Sequence, residues 1–452
     1  MSYPHRAKLA ALFAEETELF RATHPKSEQA HLVGRDNMLA GVPMIWMAKW
    51  PGGFPVYVKS ASGSHFTDLD GNDYTDFCLG DTGSMSGHSP EPTVNSIARQ
   101  AKEGITLMLP TRDAAENAKE LERRFGLPKW QFTLSATDAN RHLIRFARHV
   151  SGRKKIAVHD YCYHGTVDET FANLAGDGST ISRKNNIGAP VELTETTVSV
   201  PFNDLDAAEQ AFATGEIAAM LMEPALTNIG IVLPDEGYLE GMQELCQKYE
   251  VLWILDETHT LSAGTGGLTA KNSLKPDAVV LGKTIGGGIA VGAYGVTAEL
   301  AERISSSMEL ESIDVGGVGG TLAGNALSMA AVRATLTEVL TESAFEHMEM
   351  LAIRWQQGIQ EIISEFGIPW QVSRVGCRGE YSFRSSAPST GAEAAAAEDF
   401  ELQQYLQLHA LNRGILMTPF HNMTLMSPKT TQEDVERHLA HFREAVMALF
   451  AD

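Results

Sequence analysis

An α/β architecture with a mostly parallel central sheet follows from three features of this sequence. Between about Glu91 and Leu340, helical patterns such as NSIARQAKEGI, AAENAKELERRF and YLEGMQELCQKYE alternate with short apolar runs: KKIAVHD, IAAMLMEP, VLWILDE, AVVLGK and GAYGVT. The runs suit strands buried on both faces, which parallel sheets require. Three of them stop at a polar residue, at Glu223, at Asp256-Glu257 and just before Lys283. In open parallel sheets the ligand lies beyond the carboxyl ends of the strands, so these endings mark the candidate site.

The elements divide into three stretches. Residues 1–90 combine a short helix, Pro/Gly-rich loops and two strand-like pieces, PVYVK from Pro55 and SHFTDLDGNDYTDF, whose Asp70-Gly71-Asn72 is a hairpin turn signal. Residues 91–340 form the large α/β domain. Residues 341–452 run helix, strand (GEYSF), helix, and a last amphipathic helix from Glu433, with TGAEAAAAEDFELQQYL read as a loop entering a helix. The first and third stretches together are expected to build a small α+β domain.

With 452 residues, 43% hydrophobic and 21% charged, the chain is long enough for two to three domains and a large core. Its 36 Lys+Arg against 57 Asp+Glu leave a net charge of −21, which repels polyphosphate and excludes general nucleic-acid binding. No run approaches the roughly eighteen apolar residues of a membrane span. Acids also interrupt the first twenty residues where a signal peptide would be apolar, so a cytoplasmic, soluble protein with no membrane partner is expected. Cys78, Cys162, Cys246 and Cys377 are far apart and lack CxxC spacing, which suggests reduced thiols. The cluster His159, Asp160, Cys162 and His164 lacks a second ligand group, so no metal is expected.

The chemistry follows from the strand endings. A lysine leaving a buried strand enters a sheltered pocket, where it becomes a better amine nucleophile and a Schiff base is its natural use. Gly286-Gly287-Gly288 after Lys283 removes side chains and lets a cofactor approach. Asp256 can keep a heterocyclic nitrogen protonated, as a pyridine electron sink needs. Together they suggest pyridoxal phosphate. Taken singly, each has another reading: Lys283 as a solvated loop residue, Asp256 as a helix cap or a structural hydrogen bond, and the glycines as a dinucleotide loop, although they lack its GxGxxG spacing.

At this point the string from Asp256 to Gly295, DETHTLSAGTGG…KPDAVVLGKTIGGGIAVGAYG, resembles class III, fold-type I pyridoxal-phosphate aminotransferases, in particular the subgroup with glutamate-1-semialdehyde aminomutase. LDGNDYTDF, GHSPEP, SATDAN, YHG, MEPALTNIGIVLP and GGTLAGNALSMAA extend the likeness along most of the chain. The resemblance implies that Lys283 is the Schiff-base lysine, Asp256 the partner of the pyridine nitrogen and Glu223 a residue near the lysine or substrate. It places Tyr163 on the cofactor ring with His164 beside it, and Thr258 on the opposite face, where the family has Val. Ser135, Ala136 and Thr137 would receive the phosphate at a helix N-terminus, with Ala136 where relatives often have Gly. Thr321 would reach the phosphate of a neighbouring subunit, which makes a homodimer with shared sites.

Departures bear on the substrate. Where semialdehyde aminomutases place an arginine for the substrate carboxylate, spacing from Gly52-Gly53 puts Trp46, either as an apolar wall or as packing. Arg378 can bind a carboxylate bidentately, while Glu380, two residues on, can neutralise it. His421 and Asn422 occupy a C-terminal loop, with either a structural or a substrate-facing role. His259 reads as a helix-start histidine or as a group tuning the cofactor. The expected activity is an aminotransferase that moves an amino group between an amine or amino acid with an apolar or aryl substituent and a keto acid. The same parts support an aminomutase or epimerase, and a catalytically idle cofactor-binding protein is the remote alternative.

Overall fold

The computed structural model describes residues 4–309 and 316–450. By internal contacts the chain divides into two units, one of residues 1–89, 346–387 and 397–452, the other of residues 90–345 and 388–396.

The larger unit is built on a seven-stranded sheet. From edge to edge its strands are Lys129–Thr133, Gly292–Val296, Ala278–Leu281, Leu252–Asp256, Ile217–Met222, Lys155–His159 and Thr197–Val200. Every pairing is parallel except the two made by Gly292–Val296, which runs antiparallel to both neighbours. The mostly parallel sheet is therefore as expected; the sequence pattern marks neither the direction of the glycine-rich GAYGV strand nor the edge strand Thr197–Val200. All six residues of Ile217–Met222 and all five of Leu252–Asp256 are buried, which explains apolar runs without polar alternation. Helix Ala136–Ser151 starts at Ser135, whose side chain accepts from the Asp138 N–H, and stops at Gly152 in the left-handed region at φ 69°. It buries Ala139, Asn140, Leu143, Ile144 and Ala147, residues three and four apart on one face.

In the other unit, N- and C-terminal segments share a four-stranded sheet ordered Val58–Ser62, His65–Asp68, Asp73–Asp76 and Ile415–Leu416. The turn at Asp70-Gly71-Asn72 joins its antiparallel middle pair, as the hairpin signal indicated. Phe20, Phe54, Phe66, Tyr74, Leu408 and Leu411 pack as a core from both ends of the chain. A second, antiparallel sheet holds Gln371–Val375, Arg378–Ser382 and Met423–Leu425. Its first strand, QVSRV, breaks the apolar–polar alternation at Ser373-Arg374, and the sequence pattern does not mark it. Of the TGAEAAAAEDFELQQYL stretch, the short helix Gly391–Ala395 belongs to the larger unit and helix Phe400–Leu411 to this one.

Candidate active site

Three adjacent parallel strands of the large unit end at the residues singled out above. Asp256, the last residue of its strand, lies opposite Val280 of the neighbouring one, and that neighbour ends at Leu281, two residues before Lys283. Glu223 follows directly on Met222 of the strand on the other side. Sheet order alone thus brings Glu223, Asp256 and Lys283 to one edge.

Asp256 is buried and well supplied with donors. Its Oδ2 accepts from Asn140 Nδ2 at 2.9 Å and from His164 Nδ1 at 3.0 Å, and its Oδ1 accepts from the Thr258 N–H at 3.0 Å. Burial works to raise this carboxyl's pKa, but the bonds from His164, Thr258 and Asn140 outweigh it and hold the group below the ordinary carboxylate value. For His164 burial opposes the charged form, while Cys162 and the Asp256 carboxylate favour it, and the imidazole ends above its ordinary value. The pair is therefore an imidazolium and a carboxylate. Three donors leave Oδ1 room for one more, since a carboxylate offers about four acceptor positions. His164 Nε2, Asn140 Oδ1 and Thr258 Oγ1 are buried with no hydrogen-bond partner among the described residues. A polar ligand with a protonated ring nitrogen fits this set.

The adjacent Glu257 has the opposite electrostatics. Burial pushes its carboxyl above the usual range despite bonds from Thr260, Thr269 and Leu268. It ties segment 257–269 together.

Backbone packing forms the rest of the site. A β-carbon on Gly282 would lie 2.8 Å from Ala136 Cβ, and one on Gly165 would lie 2.0 Å from Thr137 Oγ1. Only glycine permits these approaches, which bring the loops at 135–137, 163–166 and 282–283 together. Thr137 Oγ1 also accepts from the Thr166 N–H at 3.3 Å. Ser135 caps the helix, so the amides of Ala136 and Thr137 have no acceptor inside it and sit at the positive end of its dipole. An anion belongs there.

Lys283 itself has φ 50°, a left-handed conformation that costs a residue with a β-carbon about 1–2 kcal/mol. Its Nζ lies 2.9 Å from His259 Nε2. Tyr163 is half-buried beside His164. Glu223 is buried and accepts from Thr227 Oγ1. Thr321 is exposed and lines a depression of about 440 Å³ with Met108, Leu109 and Pro110; part of the glycine-rich approach to it lies outside the described residues.

One residue carries no signal of its role in the sequence: Asn140, within SATDAN, is an amide in the apolar stripe of a buried helix face. Of the two readings of His259, helix-start residue or group near the cofactor, the structure adds a contact with Lys283. The remaining histidine cluster disperses: His159 faces Val200 O and Tyr238 Oη, and Asp160 accepts from the Leu174 N–H.

The substrate candidates belong to the other unit. Trp46 is 42% exposed, its ring edge-on to Phe420 at 6.2 Å, so it is not a core packing residue. Arg378 is fully buried, with Nη1 3.5 Å from Asp81 Oδ1 and 3.4 Å from Thr82 Oγ1. Glu380 Oε1 lies 3.3 Å from His421 Nδ1 and accepts from the Asn422 N–H, so these three hold one another.

The sheet and its carboxyl-edge cluster define a fold-type I pyridoxal-phosphate enzyme. Residues 46–446 match the family Aminotransferase class-III, and the chain belongs to that family. A glutamate-1-semialdehyde-aminomutase from Pseudomonas aeruginosa PAO1 shares 45% identity and a TM-score of 0.97 over 99% of both chains; a lysine-to-alanine variant of it, in complex with PMP, matches equally well. A glutamate-1-semialdehyde 2,1-aminomutase of Anaeromyxobacter sp. is 32% identical over 88% of this chain and 92% of its own. A β-phenylalanine aminotransferase from Variovorax paradoxus is 25% identical, with a TM-score of 0.84 over 96% and 97% of the two chains. The cofactor of this chain is pyridoxal 5′-phosphate. Among the described residues no helix is long and apolar enough to cross a membrane.

Proposed function

We propose that this chain is an aminomutase of the glutamate-1-semialdehyde type, moving an amino group between neighbouring carbons of one small substrate. The observation that carries the chemistry is the buried, ionised Asp256 on the strand next to the one delivering Lys283. The intramolecular mode rests on the relatives named as aminomutases. When bound, pyridoxal phosphate supplies an electron sink that makes the C–H beside a bound amine acidic. Asp256 holds the proton on the ring nitrogen, and His164 and Asn140 hold Asp256 ionised. The amides of Ala136 and Thr137, with Ser135, receive the phosphate, and Tyr163 and Thr258 flank the ring. Lys283 Nζ holds the cofactor and, once free, takes a proton from one substrate position and returns it at another. Glu223, at the end of the strand on the other side of Asp256, serves the lysine or the substrate. Thr321, exposed beside the apolar Met108, Leu109 and Leu322, serves the site of a second copy in a homodimer; sedimentation as a 49.1 kDa monomer at assay concentration would remove that role.

A second reading has its own observation. The exposed Trp46, where the resemblance places an arginine, favours an apolar or aryl substituent, and so a transaminase using an amine and a keto acid. Supplying 4-amino-5-oxopentanoate alone separates the two. The aminomutase reading expects many turnovers to 5-amino-4-oxopentanoate with no added keto acid. A single equivalent per site, with turnover restored only by an aryl amine and a keto acid, would replace it with the transaminase.

A further inference from the structure

His259 lies three residues beyond Asp256, in DETHT, and its backbone is clamped from both sides. The Thr258 N–H donates to Asp256 Oδ1, the Leu261 N–H to Glu257 O at 2.9 Å, and the Ser262 N–H to His259 O at 3.1 Å. The Glu257 carboxylate fastens the same segment through Thr260, Leu268 and Thr269. The imidazole is buried and aims Nε2 at Lys283 Nζ, 2.9 Å away. On the other side, the left-handed backbone of Lys283 and the packing of Gly282 on Ala136 fix where the lysine stem begins.

An ammonium offers only donors, so Nε2 is the acceptor and the ring proton sits on Nδ1. The contact is a charge-assisted hydrogen bond from Nζ to Nε2. A lysine stem has four rotatable bonds, and an amine without a fixed acceptor would spread over many rotamers. We propose that His259 is a positioning residue for Lys283: its Nε2 holds the free amine and sets the direction from which Nζ meets the cofactor's aldehyde carbon. In that step the ammonium gives its extra proton to water, the neutral amine adds to the carbon, and one water leaves. The inference rests on Lys283 being the lysine that bonds the cofactor.

The test follows covalent capture, which does not depend on turnover. Full-length protein stripped of cofactor, as wild type, His259→Leu and His259→Gln, is mixed with pyridoxal phosphate. The absorbance rise is timed, and the product is reduced with borohydride and peptide-mapped. The Leu variant should capture about tenfold more slowly, with an unchanged melting temperature, and the Gln variant, whose amide oxygen accepts, should stay near wild type. If the Leu variant fails to fold, His259→Asn, whose acceptor falls a methylene short, should be slow in its place. Equal rates with the label on Lys283, or a Gln variant as slow as Leu, overturn the role of His259 and leave Lys283 standing. A label on another lysine overturns both.

Discussion

Each unit of this protein buries an aspartate beside a histidine, and the two clusters end differently. In the smaller unit Asp68 takes the Gly71 and Asn72 N–H groups on Oδ1, and Asn72 Nδ2 and Tyr74 Oη on Oδ2. His24 completes it, with Nδ1 on Phe20 O and Nε2 on Tyr74 Oη. That network is closed. In the larger unit Asp256 is gripped by His164, Asn140 and Thr258, yet His164 Nε2 and Asn140 Oδ1 have no hydrogen-bond partner among the described residues. An unmet buried polar atom costs about 1–3 kcal/mol, so the second cluster gives up stability that a ligand can restore. The first cluster is satisfied within the fold, and the second leaves polar atoms open to a ligand.

The largest test of that contrast is Asp256→Asn. Without the carboxylate, His164 is left as a buried charge with no counter-ion, which costs about 3–5 kcal/mol when one partner of such a pair is removed. The denaturant midpoint of the cofactor-free protein should fall at constant m, and cofactor should be lost on dialysis. An unchanged midpoint together with full retention would mean that the ion pair supports neither the fold nor the ligand.

A pH series sharpens the comparison. The folded pKa of Asp256 is depressed, so its contribution is present above the ordinary carboxylate value, about 3.9, and disappears as pH falls through the lower folded value. The folded pKa of His164 is raised to about 10, so its contribution is complete below roughly 6.5 and is lost as pH climbs towards 10. The stability of the cofactor-free protein should therefore fall on the alkaline side by about 2 kcal/mol, and His164→Asn should flatten that limb. An identical alkaline limb in the variant would assign it to other groups.

The smallest effect belongs to the closed cluster. Tyr74→Phe removes one hydroxyl from a satisfied network and should lower unfolding free energy by about 1 kcal/mol with no change in cofactor retention. Loss of cofactor from this variant would break the division of labour between the clusters.

The strands and the edge at which chemistry gathers were legible because burial on both faces leaves unbroken apolar runs that stop where the chain meets a polar edge. VLWILD ending at Asp256 and AVVL ending two residues before Lys283 show this directly. Asn140 was harder to see, since its role needs the helix face that carries it and a strand more than a hundred residues away. Arg378 is not decided by sequence, since an arginine on a strand reads alike whether it faces a ligand or is buried beside Asp81.

By itself, then, the sequence determined the α/β layering, the polar strand endings and the likeness to a family, because these depend on local periodicity and on residues near one another in the chain. Only tertiary structure decided that Gly292–Val296 runs antiparallel, that His164 and Asn140 converge on Asp256, and that His259 meets Lys283. Those facts are distances between segments far apart in sequence. Strand order, the approaches allowed by Gly165 and Gly282, and burial set them, and no local pattern encodes a distance of that kind.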